Sequence, residues 1–349
     1  MKKTEIMELI PGQKEISPKT LSHPGEVLRS GGLVVFPTET VYGLGGNALD
    51  PAAAGRIYAA KGRPADNPLI IHIASPEDAE QYTYTTPLYY RLAEAFMPGP
   101  LTVILPARPL IPKTVTAGLP TVAVRCPSHP VAHALISAAG VPIAAPSANL
   151  SGSPSPTCCA HVMDDMYGRV DIIINGGDCA IGLESTIVKI EEDESLTLLR
   201  PGAVTPDELS AYCSRLTIAP AVLGTLAPGE RVLSPGMKYK HYAPAVPFYL
   251  LDGDPGRCLA YLRNQTGRFG VLCYDEDVET FSALPDCRLF PVGSKDRPKT
   301  LAHRLFYLLR EADKADLTAL YAPLPGQDGL GLALYNRMIR AAAHHIIKL

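Results

Sequence analysis

The chain has 349 residues, enough for about two domains. Hydrophobic residues make up 46% and charged residues 19%, the balance of a globular protein in water. A net charge of −3 excludes a general attraction to nucleic acid, so any RNA contact needs a local basic patch.

Met1-Lys2-Lys3 could open an export signal, but Glu5 and Glu8 interrupt any apolar region behind it. Leu33–Phe36 is a short apolar strand ending at Pro37. Asp50-Pro51 then opens a helix, with Asp as cap and Pro at the first helical position. That helix runs to about Lys61, where Gly62 can supply the left-handed stop. Further strands are expected at Leu69–Ile73, Leu101–Leu105, Val122–Val124, Pro142–Ala145, Asp171–Ile174, Thr186–Ile190 and Leu196–Leu199. Helices are expected at Pro87–Phe96, Pro130–Ala139 and Pro206–Ser214. The most apolar long run, Val131 to Leu150, holds His133, Ser137, Pro142 and Pro146 and reads as core rather than a membrane span. This alternation predicts an α/β domain over 1–215.

Residues 216–246 are rich in Pro and Gly and read as a linker. Within it lies Ser234-Pro235-Gly236-Met237-Lys238-Tyr239-Lys240-His241-Tyr242-Ala243-Pro244, which carries more lysine, tyrosine and histidine than a spacer requires. A second α/β pattern fills 247–349. It has strands at Phe248–Leu251, Gly270–Tyr274 and Leu317–Ala322, and helices at Gly256–Asn264, Lys299–Ala312 and Leu332–His345. It predicts a smaller Rossmann-like domain without a GxGxxG loop, so dinucleotide binding is not expected there.

Five stretches carry chemistry. Phe36-Pro37-Thr38-Glu39-Thr40-Val41-Tyr42-Gly43-Leu44-Gly45 follows a strand, where α/β folds place ligand loops. Lys61-Gly62-Arg63-Pro64-Ala65-Asp66-Asn67-Pro68, with His72 beyond, can converge two cations on an anion. In Val122-Ala123-Val124-Arg125-Cys126-Pro127, Arg125 ends an apolar strand, where a buried charge demands a partner. That partner is either a ligand anion or an internal Asp or Glu. Ala145-Pro146-Ser147-Ala148-Asn149 runs on through Ser151-Gly152-Ser153-Pro154-Ser155 and can form an anion nest. Gly182-Leu183-Glu184-Ser185-Thr186 pairs with Leu199-Arg200-Pro201-Gly202 across two strands. Taken singly, each stretch also reads as an ordinary loop, helix end or hairpin.

Other chemistries lack their signatures. His129 and His133 stand i, i+4 but no HExxH is present, so no protein-held metal is expected. Gly43-Leu44-Gly45-Gly46 is not a Walker loop, and Ser147 lacks a GxSxG elbow. The eight cysteines form no CxxC pair, which points to reduced thiols and a cytoplasmic location.

Together and in this order, PTETVYGLG, KGRPADNPL with HI, MPGPLT, VAVRCP, APSAN-SG, G-ESTIV and LRPG resemble the YrdC-like domain of threonylcarbamoyladenylate synthases, from about Leu21 to Asp207. SPGMKYKHYAP and the domain after it resemble the long two-domain form. The resemblance implies a twisted open mixed sheet for the first domain. It implies synthesis of L-threonylcarbamoyladenylate from L-threonine, bicarbonate or CO2, and ATP, as the first step of a tRNA modification. Thr40, His72, Arg125, Ala145 and Ser185 would surround threonine. Arg63, Asn67, Thr121, Ser147, Ser155 and Arg200 would hold ATP, and Tyr242 would reach over the nucleotide. Lys61 and Arg63 would face the phosphates as the catalytic pair. Mg2+ would arrive with ATP, and a threonylcarbamoyl-transfer complex would take the product. Weak tRNA binding and no membrane partner are expected. A non-catalytic RNA-binding module is the alternative. A carbamoyl-transfer enzyme of hydrogenase maturation would need zinc-finger cysteine pairs, which are missing.

Overall fold

The computed structural model describes residues 2–10, 12–65, 67–224 and 242–349. Among them the chain divides into two compact units: 2–151, 155–180 and 184–224 form the first, and 152–154, 181–183 and 242–349 the second. No helix of the described residues is long and apolar enough to cross a membrane.

The strands of the first unit are β1 Glu5–Glu8, β2 Val34–Phe36, β3 Gly43–Asn47, β4 Ile70–His72, β5 Leu101–Pro106 and β6 Thr121–Arg125. They continue with β7 Ile143–Ala144, β8 Ile172–Asn175, β9 Thr186–Ile190, β10 Leu196–Arg200 and β11 Leu216–Ile218. They pair in the order β1-β8-β2-β3-β7-β4-β6-β5-β9-β10-β11. Neighbours are parallel at some steps, such as β4 with β6, and antiparallel at others, such as β5 with β6, so the expected mixed sheet is present. Helices Ser22–Arg29 and Pro130–Ala139 bury Leu28, Leu135 and Ile136 against Val34, Ile143 and Ile174. The helix Pro51–Lys61 has the expected caps. The Asp50 side chain accepts from Ala52 N–H, and Gly62 is left-handed at φ 61°.

Gly43–Asn47 was expected as loop, and it is a strand. Its sequence has few strand formers, but it sits between β2 and β7, where neighbours override propensity. A Cβ on Gly45 would lie 2.8 Å from Ile143 Cγ2 and from Phe36 Cε1, so only glycine lets these strands pack so closely. The expected linker also begins with regular structure. Strand β11 pairs with β10, and a short helix spans Pro220–Leu223. The helix from Pro206 ends at Ser210, earlier than expected. Ser234–His241 of the linker motif lie outside the described residues.

The second unit has β12 Phe248–Asp252, β13 Phe269–Cys273, β14 Cys287–Pro291, β15 Ala319–Pro323 and β16 Ile346–Lys348. Their order is β14-β13-β15-β12-β16, and every pairing is parallel, as a Rossmann-like sheet requires. Helices Pro255–Leu262 and Pro298–Asp313 are among its crossovers.

Candidate active site

Directly paired residues share a face of a sheet, and side chains alternate along each strand. Register therefore shows which expected residues look the same way. His72 pairs with Arg125 and with Ile143, and Ile70 pairs with Ala123. Thr121 stands two and four residues before Ala123 and Arg125 on β6. Ile187 pairs with Arg200, and Ser185 lies two residues before Ile187. Gly43 bridges Ser147. One face thus carries His72, Arg125, Thr121, Ala145, Ser185 and Arg200. The same face, at β2, β7 and β8, is covered by the Ser22–Arg29 and Pro130–Ala139 helices.

At the carboxyl end of β6 the polar groups are buried and paired. The Arg125 guanidinium donates through Nη2 to Glu39 Oε1 at 2.7 Å, with both side chains at most one-tenth exposed. Glu39 Oε2 also accepts from Ser128 N–H. The partner of Arg125 in this structure is therefore the internal carboxylate that the sequence left open as an alternative to a ligand. Thr40, next in the chain, is fully buried, and its hydroxyl meets that of Thr38 at 2.8 Å. Burial, and then the Arg125 charge, push His72 down to about 3. Its imidazole is therefore neutral at pH 7, with Nδ1 3.3 Å from Ile143 O.

Ser185 adjoins this cluster. Its hydroxyl meets Thr102 Oγ1 at 2.7 Å, and Arg200 donates to both the Ser185 hydroxyl and its carbonyl at 3.0 Å. Ser155 donates to the buried carboxylate of Glu184, 2.5 Å away. The 37–42 loop is tied in through Tyr42, whose N–H donates to Pro156 O and whose hydroxyl donates to Gly177 O. Burial pushes that phenol far up, so it stays a donor.

The remaining expected residues gather at the amino ends of β4 and β6. Thr121 opens β6 about 13 Å from Arg125, at ~3.3 Å per residue. Lys61 is buried, and its ammonium donates to Ser147 O, to Asn149 O at 2.8 Å and to Asn149 Oδ1. Expected to face the phosphates, it here holds the 147–149 loop, whose Ser147 is among the expected ATP residues. Ser147 also donates to Asn149 Oδ1. Arg63 is half-buried, with Nη2 3.5 Å from Asn67 O. The Asn67 amide is fully buried, and neither Nδ2 nor Oδ1 has a partner among the described residues. A buried amide left in that state would cost about 1–3 kcal/mol.

Expected ATP residues thus divide between the two ends. Ser155 and Arg200 stand with Ser185, whereas Arg63, Asn67, Ser147 and Thr121 lie at the other end. Tyr242 belongs to the second unit. Its ring stacks on Phe306 at 5.1 Å, with the Arg337 guanidinium 5.6 Å from its centroid. Glu39, Glu184 and Thr102 were not singled out, whereas Asn149 was read as part of an anion nest. Glu39 and Glu184 were legible as the acidic residues inside two of the motifs. Among the described residues no group of three His, Cys, Asp or Glu is placed to hold a metal ion.

Two family models match the chain. One, described as "Telomere recombination", matches residues 26–202, and another, described as "Threonylcarbamoyl-AMP synthase, C-terminal domain", matches 204–343. The threonylcarbamoyl-AMP synthase of Pyrococcus abyssi is 42% identical, over 92% of this chain and 93% of its own. That of Bacillus subtilis is 42% identical over 94% of each. The crystal structure of P. abyssi Sua5 complexed with L-threonine has a TM-score of 0.87 and 40% identity, and covers 99% of both chains.

Proposed function

The chain belongs to the two-domain threonylcarbamoyl-AMP synthase family, and we propose that it makes L-threonylcarbamoyladenylate from L-threonine, bicarbonate or CO2, and ATP, the first step of threonylcarbamoyladenosine formation on tRNA. The observation that carries this to particular residues is the single sheet face bearing His72, Arg125, Ser185 and Arg200, with the orphaned Asn67 amide at its far end.

Threonine's amine adds to CO2 and loses a proton, giving a carbamate. A carbamate oxygen then attacks the α-phosphorus of ATP, and pyrophosphate leaves with its electron pair. Both reactants are anions, so positioning and positive charge matter more than a protein nucleophile. Thr40, neutral His72, Arg125 and Ser185 take the threonine end. Arg125 and Arg200 flank the meeting point, where buried cations stabilise developing negative charge most strongly. Arg63 and Asn67 take the nucleotide at the other end, beside the 147–149 loop that Lys61 holds in place. Magnesium enters with ATP, held by its phosphates and water.

The eight cysteines are all free thiols, which supports a cytoplasmic setting. The labile product passes to a threonylcarbamoyl-transfer complex. Contact of this chain with tRNA is weak, in keeping with its slightly negative charge.

Threonine-dependent pyrophosphate release from ATP tests the assignment. Arg63→Ala and Asn67→Ala should each lower it by about 10²–10³-fold while the melting profile is kept. Release near the wild-type rate in both variants would remove the nucleotide from that end of the sheet.

A further inference from the structure

The second unit contains a cavity of about 140 Å3 that the reaction above does not use. Its walls come from the carboxyl ends of β12, β13 and β15. From β13 the chain passes to β14 on one side, and from β15 it passes to β16 on the other. The cavity therefore lies at a topological switch point, where open parallel sheets place their ligands.

The floor is apolar: Leu251, Val271 and Phe281 are buried there, with Cys258 beside them. At the wall stands an ion pair. Lys295 Nζ donates to Asp277 Oδ1 at 2.8 Å and lies 5.6 Å from the Tyr274 ring centroid. Both partners are held in place. The Lys295 backbone N–H donates to the Glu276 carboxylate at 3.2 Å, and the carbonyl of Gly293 accepts from Asp275 N–H. Asp277 is only 7% exposed.

We propose that this cavity binds a small zwitterionic α-amino acid with a compact apolar side chain, its ammonium on Asp277 and its carboxylate on Lys295. A ligand with one net charge would draw away one member of the pair and leave the other uncompensated beside an apolar floor. A zwitterion exchanges pair for pair with no change in charge. Phosphates are disfavoured further by the acidic run Asp275-Glu276-Asp277 and by the lack of a glycine-rich loop. A volume of about 140 Å3 limits the enclosed part of the ligand to a small group.

Hydrogen exchange on the full-length chain, read peptide by peptide with millimolar L-valine, L-threonine, L-lysine, inorganic phosphate or AMP, tests this. L-Valine or L-threonine should slow exchange in 251–258, 271–281 and 293–297. Asp277→Asn and the half-exposed Lys295→Met should each weaken that protection about ten-fold or more, as expected on losing a charged hydrogen bond. L-Lysine, phosphate and AMP should have no effect there. Protection confined to first-unit peptides such as 36–47 and 67–72 would overturn the proposal. Protection by AMP or phosphate, or protection unchanged in both variants, would overturn it as well.

Discussion

The two sheets of this chain differ in what they carry on their faces. In the first, β4 and β6 present Ala123 beside His72, Arg125 and Thr121, and Gly43, Gly45 and Ala145 continue the same face toward the covering helices, so small and polar groups are gathered on one face. In the second, every neighbour is parallel, and β12, β13 and β15 read Phe-Tyr-Leu-Leu, Phe-Gly-Val-Leu-Cys and Ala-Leu-Tyr-Ala, apolar on both sides. A parallel sheet packed on both faces has no room for a ligand along its strands, so a ligand goes to the strand ends. The mixed sheet, part of one face left clear of the Ser22–Arg29 and Pro130–Ala139 helices, can take a ligand across it. Pairing pattern and amino-acid choice together decide where binding occurs.

The contrast is tested most severely at the buried charges. Breaking the Glu39–Arg125 pair on one side leaves a buried guanidinium without its carboxylate, a loss of about 3–5 kcal/mol. Glu39→Gln should therefore raise the exchange rates of β6 amides, which report opening of the first unit, and leave those of β13 alone. Equal loosening of β6 and β13 would show that the two units do not open independently. An unchanged β6 would show that the ion pair contributes nothing.

A smaller effect is expected from pH. His72 is held neutral, pushed down to about 3, whereas an unfolded histidine takes up its proton near 6.5. Between these values the unfolded chain binds more protons, so stability rises with pH there. The contribution is fully present above about 6.5 and is lost as pH falls toward 3. From pH 6.5 to 5 this amounts to about 2 kcal/mol, at ~1.4 kcal/mol per unit. His72→Gln should flatten the acid slope of β6 exchange and leave that of β13 unchanged. A slope that survives in the variant would put the titrating group elsewhere.

How much of this was legible in the sequence varies with what fixes each feature. Apolar runs such as Leu101–Leu105 and Leu196–Leu199 announced their strands, and Asp50-Pro51 and Gly62 announced both ends of a helix. Strand β3 was not legible, because Gly43–Asn47 is a strand only by virtue of β2 and β7. Strands β1, β14 and β16 stand at sheet edges, and β1 and β16 are short, so their patterns are weak. The site's cations were visible as motifs, but their partners were not. That Lys61 reaches the 147–149 loop and Arg125 reaches Glu39 depends on contacts 86 or more residues apart. Tyr242 was assigned by resemblance alone, and its stacking on Phe306 joins residues that no local pattern links.

The finest test uses two glycines in matched surroundings. A Cβ at Gly45 would meet Ile143 Cγ2 and Phe36 Cε1 at 2.8 Å, and a Cβ at Gly270 on β13 would meet Leu317 Cδ1 and Phe290 Cε2 at 2.8 Å. The nearest obstacles are side-chain atoms in both cases, with Val34 O at 3.2 Å from the Gly45 position, so each alanine should cost a similar ~1–3 kcal/mol, the range for overpacking. The stability losses should match, each seen in its own unit's exchange. Their functional effects should not. Gly45 lies on the face that holds His72 and Arg125, and Ile143, which it would displace, pairs with His72. Gly45→Ala should therefore raise the KM for threonine, whereas Gly270→Ala should leave both KM and kcat unchanged. If Gly270→Ala raised KM as much, the first sheet's face would not be the surface on which threonine lies.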